Sequence, residues 1–206
     1  MLKADSLACE RGGRLLFRDL GFALPPGTLL RVAGAKGAGK TSLLRILCGL
    51  ATPAAGTLTW ADEDIAGQRE AWTRRLAWIG HANGLKDDLS ADENLAFALR
   101  LAGIAATPAA RAAALARLGL EGRAHLPTRV LSQGQKRRAA LARLALSASA
   151  PLWILDEPLA ALDVEAVGTV TALIGAHLAA GGSAVLTTHQ DAAFDAPGAQ
   201  RVDLGG

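Results

Sequence analysis

Residues 34–41 read Gly34-Ala35-Lys36-Gly37-Ala38-Gly39-Lys40-Thr41, followed by Ser42, and this run lies between an apolar stretch and a helical one. Leu29-Leu30-Arg31-Val32-Ala33 reads as a buried strand, and Thr41 to Gly49 as a helix that its final glycine ends. Strand, glycine-rich turn and helix with the spacing G-x-x-x-x-G-K-[ST] make a loop whose backbone N–H groups converge on phosphate oxygens. The helix adds its positive N-terminal end. In that setting Lys40 neutralises β- and γ-phosphate charge, and the Thr41 hydroxyl ligates Mg²⁺. Lys36 brings a further cation to the same loop. The expected core is α/β, of the P-loop NTPase kind.

A second chemical signal lies far along the chain. Leu152-Trp153-Ile154-Leu155 is an apolar strand that delivers Asp156, Glu157 and Pro158 at its end. Adjacent side chains of a strand face opposite ways, so the two acids need not share a role. Asp156 suits Mg²⁺, and Glu157, past the strand's end, suits polarising an attacking water. Loop and strand end together point to nucleoside triphosphate hydrolysis.

Between these signals the chain changes character. Its first thirty residues read as strands and turns: Leu15–Phe17 and Gly21–Leu24 flank Arg18-Asp19, and Pro25-Pro26-Gly27 closes a turn. Thr57–Trp60 and Leu76–Ile79 read as further strands. From Ala91 to Ala148 the chain is rich in Ala, Leu and Arg at helical spacing, broken by Pro108, Gly119 and Pro127, with no strand. A helical block is therefore inserted in an α/β core. The expected organisation is one domain over 1–206, with a core of 1–88 and 150–206 and a helical subdomain at about 89–149.

Composition sets the outer limits. An apolar share of 50% excludes a disordered chain, and two cysteines, Cys9 and Cys48, exclude a disulfide scaffold. A net charge of +3 is too small to argue for nucleic acid. Ala166 to Gln190 carries no charged side chain, but Gly181-Gly182 divides it, and His177, Ser183, Thr187 and Thr188 would leave polar groups in lipid. A helix, a glycine stop and a short strand, Ala184–Thr188, fit better. With no secretory signal at Met1–Asp5, the chain is expected in the cytoplasm.

Leu131-Ser132-Gln133-Gly134-Gln135 precedes a basic helical run from Lys136 to Arg143. Ser132 is a helix N-cap, and Gly134 leaves the helix start open to an anion. At this point the chain resembles the ATP-binding-cassette (ABC) family, whose LSGGQ element it matches with Gln133 in place of the first glycine. Leu159-Ala160-Ala161-Leu162-Asp163 resembles the family's D-loop, and Thr188-His189 its switch histidine. The resemblance implies a RecA-like cassette core with an N-terminal antiparallel β-subdomain and the inserted helices. It also implies a head-to-tail dimer with a second copy of the chain, ATP lying between the phosphate loop of one copy and Ser132, Gly134 and Gln135 of the other. Asp163 joins that site, Glu157 is catalytic, and His189 contacts the γ-phosphate and holds the water.

Within the family, Leu7–Gly12, Ile79–Lys86 with Leu89–Leu95, and Leu131–Leu144 resemble the ATP-binding subunits of bacterial haem exporters of cytochrome c maturation. That resemblance implies an ATPase on the cytoplasmic face of the inner membrane, held peripherally by transmembrane permease subunits, with no nucleic acid partner and no direct haem binding. A soluble cassette unlinked to transport, or the motor of a transporter with another substrate, is the alternative. The chain departs from the family in two places. His81 occupies the usual Q-loop glutamine position, where the resemblance implies a residue of the nucleotide site that hydrogen-bonds toward Mg²⁺ or the water, with histidine adding pH sensitivity. The sequence has no tyrosine, so the aromatic that stacks on adenine is missing near Glu10-Arg11, which leaves Arg11 or Phe17 to stack instead. The loop from His81 to Ser90, with Leu85 at its tip and Leu89, Leu95 and Phe97 lining a groove, is expected to receive a partner's short helix.

Overall fold

The computed structural model describes residues 1–188 and 199–204. The chain forms two compact units: Met1–Trp78, Ala150–Glu157 and His177–Gly206 in the first, Ile79–Ser149 and Pro158–Ala176 in the second. The helical block expected at 89–149 falls inside the second unit, which also takes in 79–88 and 158–176.

Two sheets organise the first unit. In one, β1 (Leu2–Arg11), β2 (Arg14–Leu24), β4 (Ala55–Trp60) and β5 (Glu63–Asp64) run antiparallel in the order β2-β1-β4-β5. In the other, β3 (Leu29–Gly34), β6 (Leu76–Ile79), β7 (Leu152–Asp156), β8 (Ser183–Thr187) and β9 (Gln200–Leu204) take the order β6-β7-β8-β3-β9. There β3 is parallel to β8 and β9, and β7 to β8. Every residue of β7 and of β8 is buried, which is why these strands read as unbroken apolar runs rather than alternating ones.

Helix α1 (Lys40–Leu47) fills the space beside β3, and Leu43, Leu44 and Leu47 pack with Leu30, Val32, Ile154 and Val185 in one core. Each such leucine contributes about 1.5–3 kcal/mol by leaving water. Short helix α2 (Arg69–Thr73) buries Trp72, whose indole N–H donates to the Leu47 carbonyl at 2.9 Å. The hairpin β1–β2 corrects the sequence reading. Leu15–Phe17 and Gly21–Leu24 belong to one strand, and Arg18-Asp19 is a bulge within it rather than a turn, with Asp19 at φ 52° and shifts in the cross-strand register. The turn is Gly12-Gly13, both at positive φ, as a two-residue hairpin loop requires.

The second unit holds α3 (Ala91–Leu101), α4 (Pro108–Arg117), α5 (Gln133–Leu141) and most of α6 (Val164–Ala179), with 3₁₀ turns at Thr128–Val130 and Ala142–Leu146. Ser90 and Glu93 close a capping box on α3, and Thr107 with Pro108 starts α4. Arg111 of α4 grips Asp92 of α3 through two hydrogen bonds of 2.7 and 3.0 Å. Leu95, Leu99, Leu115, Leu118 and Leu141 are buried. Among the described residues no helix is long and apolar enough to cross a membrane.

Candidate functional site

The phosphate loop is shaped by glycines that no other residue would replace cheaply. Gly34 has φ 140°, and a Cβ there would lie 2.5 Å from the Leu204 carbonyl oxygen. Gly39 has φ 103°, and its Cβ would press on Leu16 and Phe17 at 3.1 and 3.2 Å. Gly39 is also the N-cap of α1 and offers no side chain to the helix's first N–H groups. Those donors face an incoming anion. Lys40 Nζ donates to the carbonyls of Gly34 at 2.6 Å and Ala35 at 3.1 Å, so the ammonium is held over the loop. Ala35, Lys36 and Gly37 are exposed at its crown, and Ala38 is half-buried.

Asp156 joins this loop directly. The Thr41 hydroxyl donates to Asp156 Oδ2 at 2.8 Å, although the two residues are 115 positions apart. The other carboxylate oxygen, Oδ1, accepts from the Thr187 hydroxyl at 2.7 Å, and Thr187 Oγ1 in turn accepts from the Glu157 backbone N–H at 2.8 Å. Asp156 is 2% exposed. A hydroxyl and a carboxylate oxygen at this separation are the hard oxygen donors that suit Mg²⁺, which is held by one or two carboxylates with substrate phosphates rather than by a protein cage. Glu157 takes φ 49°, a left-handed conformation costly for a non-glycine residue, and the hydrogen bond that its N–H donates to Thr187 helps to hold it there.

Thr187 was not singled out by the sequence as a site residue. Its only mark is that a hydroxyl ends an otherwise apolar strand. His189, the expected switch histidine, lies outside the described residues.

The second unit carries the other expected residues. Ser132 caps α5: its Oγ accepts from the Gln135 backbone N–H at 3.2 Å, while the Gln135 side chain accepts from the Ser132 N–H at 3.0 Å. The Ser132 hydroxyl proton is not used by the cap. A Cβ on Gly134 would lie 2.7 Å from the Ala161 carbonyl oxygen, so only glycine lets α5 approach the 159–163 turn this closely. Asp163 Oδ1 accepts from the Ala166 N–H at 2.9 Å and thereby caps α6. His81 is exposed in the loop after β6.

The expected groove is only partly realised. Leu95 is 2% exposed and belongs to the core, and Leu85 and Leu89 are half-buried, whereas Phe97 is 46% exposed. The loop is firmly held, because the buried Asn94 amide donates to the carbonyls of Lys86, Leu89 and Ser90 and accepts from the Lys86 N–H. Of the two residues considered for the base, Phe17 is buried against Gly39, which leaves the exposed Arg11. Cys9 is a packed thiol: burial pushes its pKa up, opposed by a hydrogen bond with Ser42 and by the Arg11 charge.

Comparison with known proteins places the chain in a family. The sequence pattern of the ABC transporter family matches residues 17–160. The cytochrome c biogenesis ATP-binding export protein CcmA of Aromatoleum aromaticum is 53% identical over 96% of this chain and 92% of its own. The protein of the same name from Dechloromonas aromatica is 47% identical over the whole of both chains. An ATP-binding subunit of an ABC transporter superposes with TM-score 0.82 at 25% identity, over 93% of this chain and 80% of that one. A dimeric ATP-binding cassette in a post-hydrolysis state with ADP and Pi shares the fold, with TM-score 0.81 at 22% identity over 94% of this chain and 90% of that one. The chain belongs to the ABC transporter family, among the cassettes named cytochrome c biogenesis ATP-binding export proteins.

Proposed function

We propose that this chain is the ATP-hydrolysing subunit of an inner-membrane haem exporter that serves c-type cytochrome biogenesis. The observation that carries the hydrolytic part is the bonded series Thr41–Asp156–Thr187–Glu157 N–H beside an uncapped helix start. The transport part is supported by relatives at about half identity along nearly the full chain.

ATP enters with its phosphates on the loop Gly34–Thr41, where backbone N–H groups and Lys40 take the negative charge. Lys40 leaves the Gly34 and Ala35 carbonyls for the phosphates, and Ser42 lies at the same helix start. Thr41 and Asp156 would hold Mg²⁺, which neutralises charge on the phosphate oxygens. Glu157 orients the attacking water. The second half of each site comes from another copy of the chain. There the free Ser132 hydroxyl proton and the first N–H groups of α5, opened by Gly134, meet the γ-phosphate, and Gln135 and Asp163 hold that helix start and the adjoining turn in shape. His81 and the 82–90 loop face the transmembrane permease on the cytoplasmic side.

Deleting the gene in a host that makes c-type cytochromes, then supplying wild type or Glu157→Gln, tests the whole reading. Loss of covalently haem-bearing cytochromes, restored by wild type and not by Glu157→Gln, is expected. Normal cytochromes in the deletion strain would overturn the transport role.

A further inference from the structure

We infer that Arg137 is a positioning residue for the hydrolytic step, acting on Glu157 through the backbone carbonyl of Pro158, the residue that follows it. The inference deepens the ATPase reading and rests on it. Arg137 lies on α5, five positions beyond Ser132, yet is only 4% exposed. Its Nη1 donates to the Gly80 carbonyl at 2.9 Å and to Asn83 Oδ1 at 3.2 Å, and its Nε donates to the Pro158 carbonyl at 3.4 Å. One guanidinium therefore joins three segments remote in sequence. Each touches a site residue along the chain: Gly80 precedes His81, Pro158 follows Glu157, and α5 begins at the Ser132 cap.

A buried cation of this kind is an expensive way to fill volume, because apolar residues of similar size pack there without the desolvation cost. What arginine alone supplies is a rigid fork of five donors. The fork matters at Glu157, whose φ of 49° persists only where the surroundings fix it. On one side the Glu157 N–H is held by Thr187; on the other, the next residue's carbonyl is held by Arg137. With the second tie cut, the Glu157 backbone relaxes and its carboxylate no longer holds one orientation toward the water. The phosphate loop takes no part in these bonds, so ATP binding is untouched.

Steady-state hydrolysis, ATP affinity and thermal melts of the full chain test this with Arg137→Lys and Asn83→Ala, and with Glu157→Gln as reference. Lysine keeps the charge but not the fork, so kcat should fall at least about tenfold with KM for ATP within about twofold and a cooperative melt retained. Asn83→Ala removes one acceptor and should lower kcat roughly threefold at unchanged KM. A folded Arg137→Lys protein with wild-type kcat, or one whose ATP affinity falls as far as its kcat, would overturn the inference. Should Arg137→Lys fail to melt cooperatively, Asn83→Ala decides: a lower kcat at constant KM supports the inference, and wild-type kcat defeats it. Failure of the underlying reading looks different, since Glu157→Gln would then be as active as wild type.

Discussion

The phosphate-loop half of the site and the Ser132 half are built on opposite plans. In the first, functional groups bond to one another: Lys40 to its own loop, Thr41 and Thr187 to Asp156, Thr187 to the Glu157 amide. Nucleotide and metal must replace some of these bonds, so this half is shaped in advance but occupied by itself. In the second, Ser132 and Gln135 satisfy only the helix's own cap, and Gly134 brings that helix start against the Ala161 carbonyl. Nothing there needs to be displaced. One half carries the charge that chemistry requires, and the other carries neutral donors in a fixed place. In the scheme proposed above, hydrolysis then depends on carboxylates of one copy and on geometry supplied by the next.

The largest expected effect follows from the one catalytic carboxylate in this scheme. Glu157→Gln keeps the size and the backbone but loses the base, and should reduce ATP hydrolysis by about 10²–10⁴-fold with ATP affinity retained. Nucleotide titration beside phosphate release measures both. Turnover near wild type would transfer the hydrolytic role to another group and erase the contrast between the halves.

Ser132→Arg strikes the other half. A bulky cation at the start of α5 should abolish hydrolysis while leaving ATP binding to the single subunit intact, whereas Lys40→Ala should weaken binding itself. Mixing the two dead variants should regain about a quarter of wild-type activity, since half of randomly formed two-fold dimers then contain one intact site of two. If heterodimers form and the mixture stays dead, the two halves do not complete each other across copies.

Why were some parts legible in the sequence and others not? The phosphate loop needs consecutive residues, and β7 and β8 are buried on both faces, so each announces itself in a short window. Ser132 and Gln135 were readable for the same reason, because a cap and its reciprocal bond span only three positions. Thr187 and Arg137 act through partners that nothing local indicates. Thr187 meets an acid 31 positions away, and Arg137 a carbonyl 57 positions away. The Asp19 bulge was hidden too, since its cause lies in the register with β1 rather than in its own residues. Strand β9, on the sheet's edge with exposed Arg201 and Asp203, lacks the apolar run that marks its neighbours.

Thr187→Val is a smaller perturbation that separates the two plans. It keeps the strand's volume but removes a donor to Asp156 Oδ1 and the acceptor for the Glu157 N–H. Losing these two buried hydrogen bonds should cost about 1–3 kcal/mol of stability. Turnover should fall roughly tenfold at most, because the carboxylates themselves remain. Chemical denaturation and kcat measure the two effects. The head-to-tail pairing seen by mixing Ser132→Arg with Lys40→Ala should be unaffected, and a change there would show that the halves are not separable.

The smallest effect is an acid sensitivity confined to the phosphate-loop unit. His177, 6% exposed, stacks on Trp153 of β7 with ring centroids 4.0 Å apart and planes 5° from parallel. Its Nε2 lies 3.2 Å from the Ser183 carbonyl oxygen, an acceptor, so that nitrogen carries the proton and Nδ1 is bare in the neutral ring. A Cβ on Gly182 would fall within 2.6 Å of three ring atoms, so the backbone leaves the ring no room to turn away. Burial holds the His177 pKa below its ordinary value of 6.5, against a smaller opposing pull from the Ser183 carbonyl. The unfolded chain therefore takes up a proton first as pH falls. The stabilising contribution is fully present above pH 6.5 and is lost progressively below it, down to the lowered folded pKa, at no more than about 1.4 kcal/mol per pH unit for one proton. In the second unit the resolved shifts run the other way round: Glu93 is held below the usual carboxylate range by its bonds to Ser90, and Arg111 above its own by Asp92. Neither titrates near pH 6. Hydrogen exchange followed from pH 7 to pH 5.5, after correction for intrinsic rates, should show β7 and β8 losing protection while α3 and α4 keep theirs. His177→Phe, which retains the stack on Trp153 but cannot take up a proton, should flatten that difference. Equal loss in both units, or a His177→Phe protein as acid-sensitive as wild type, would place the sensitivity elsewhere.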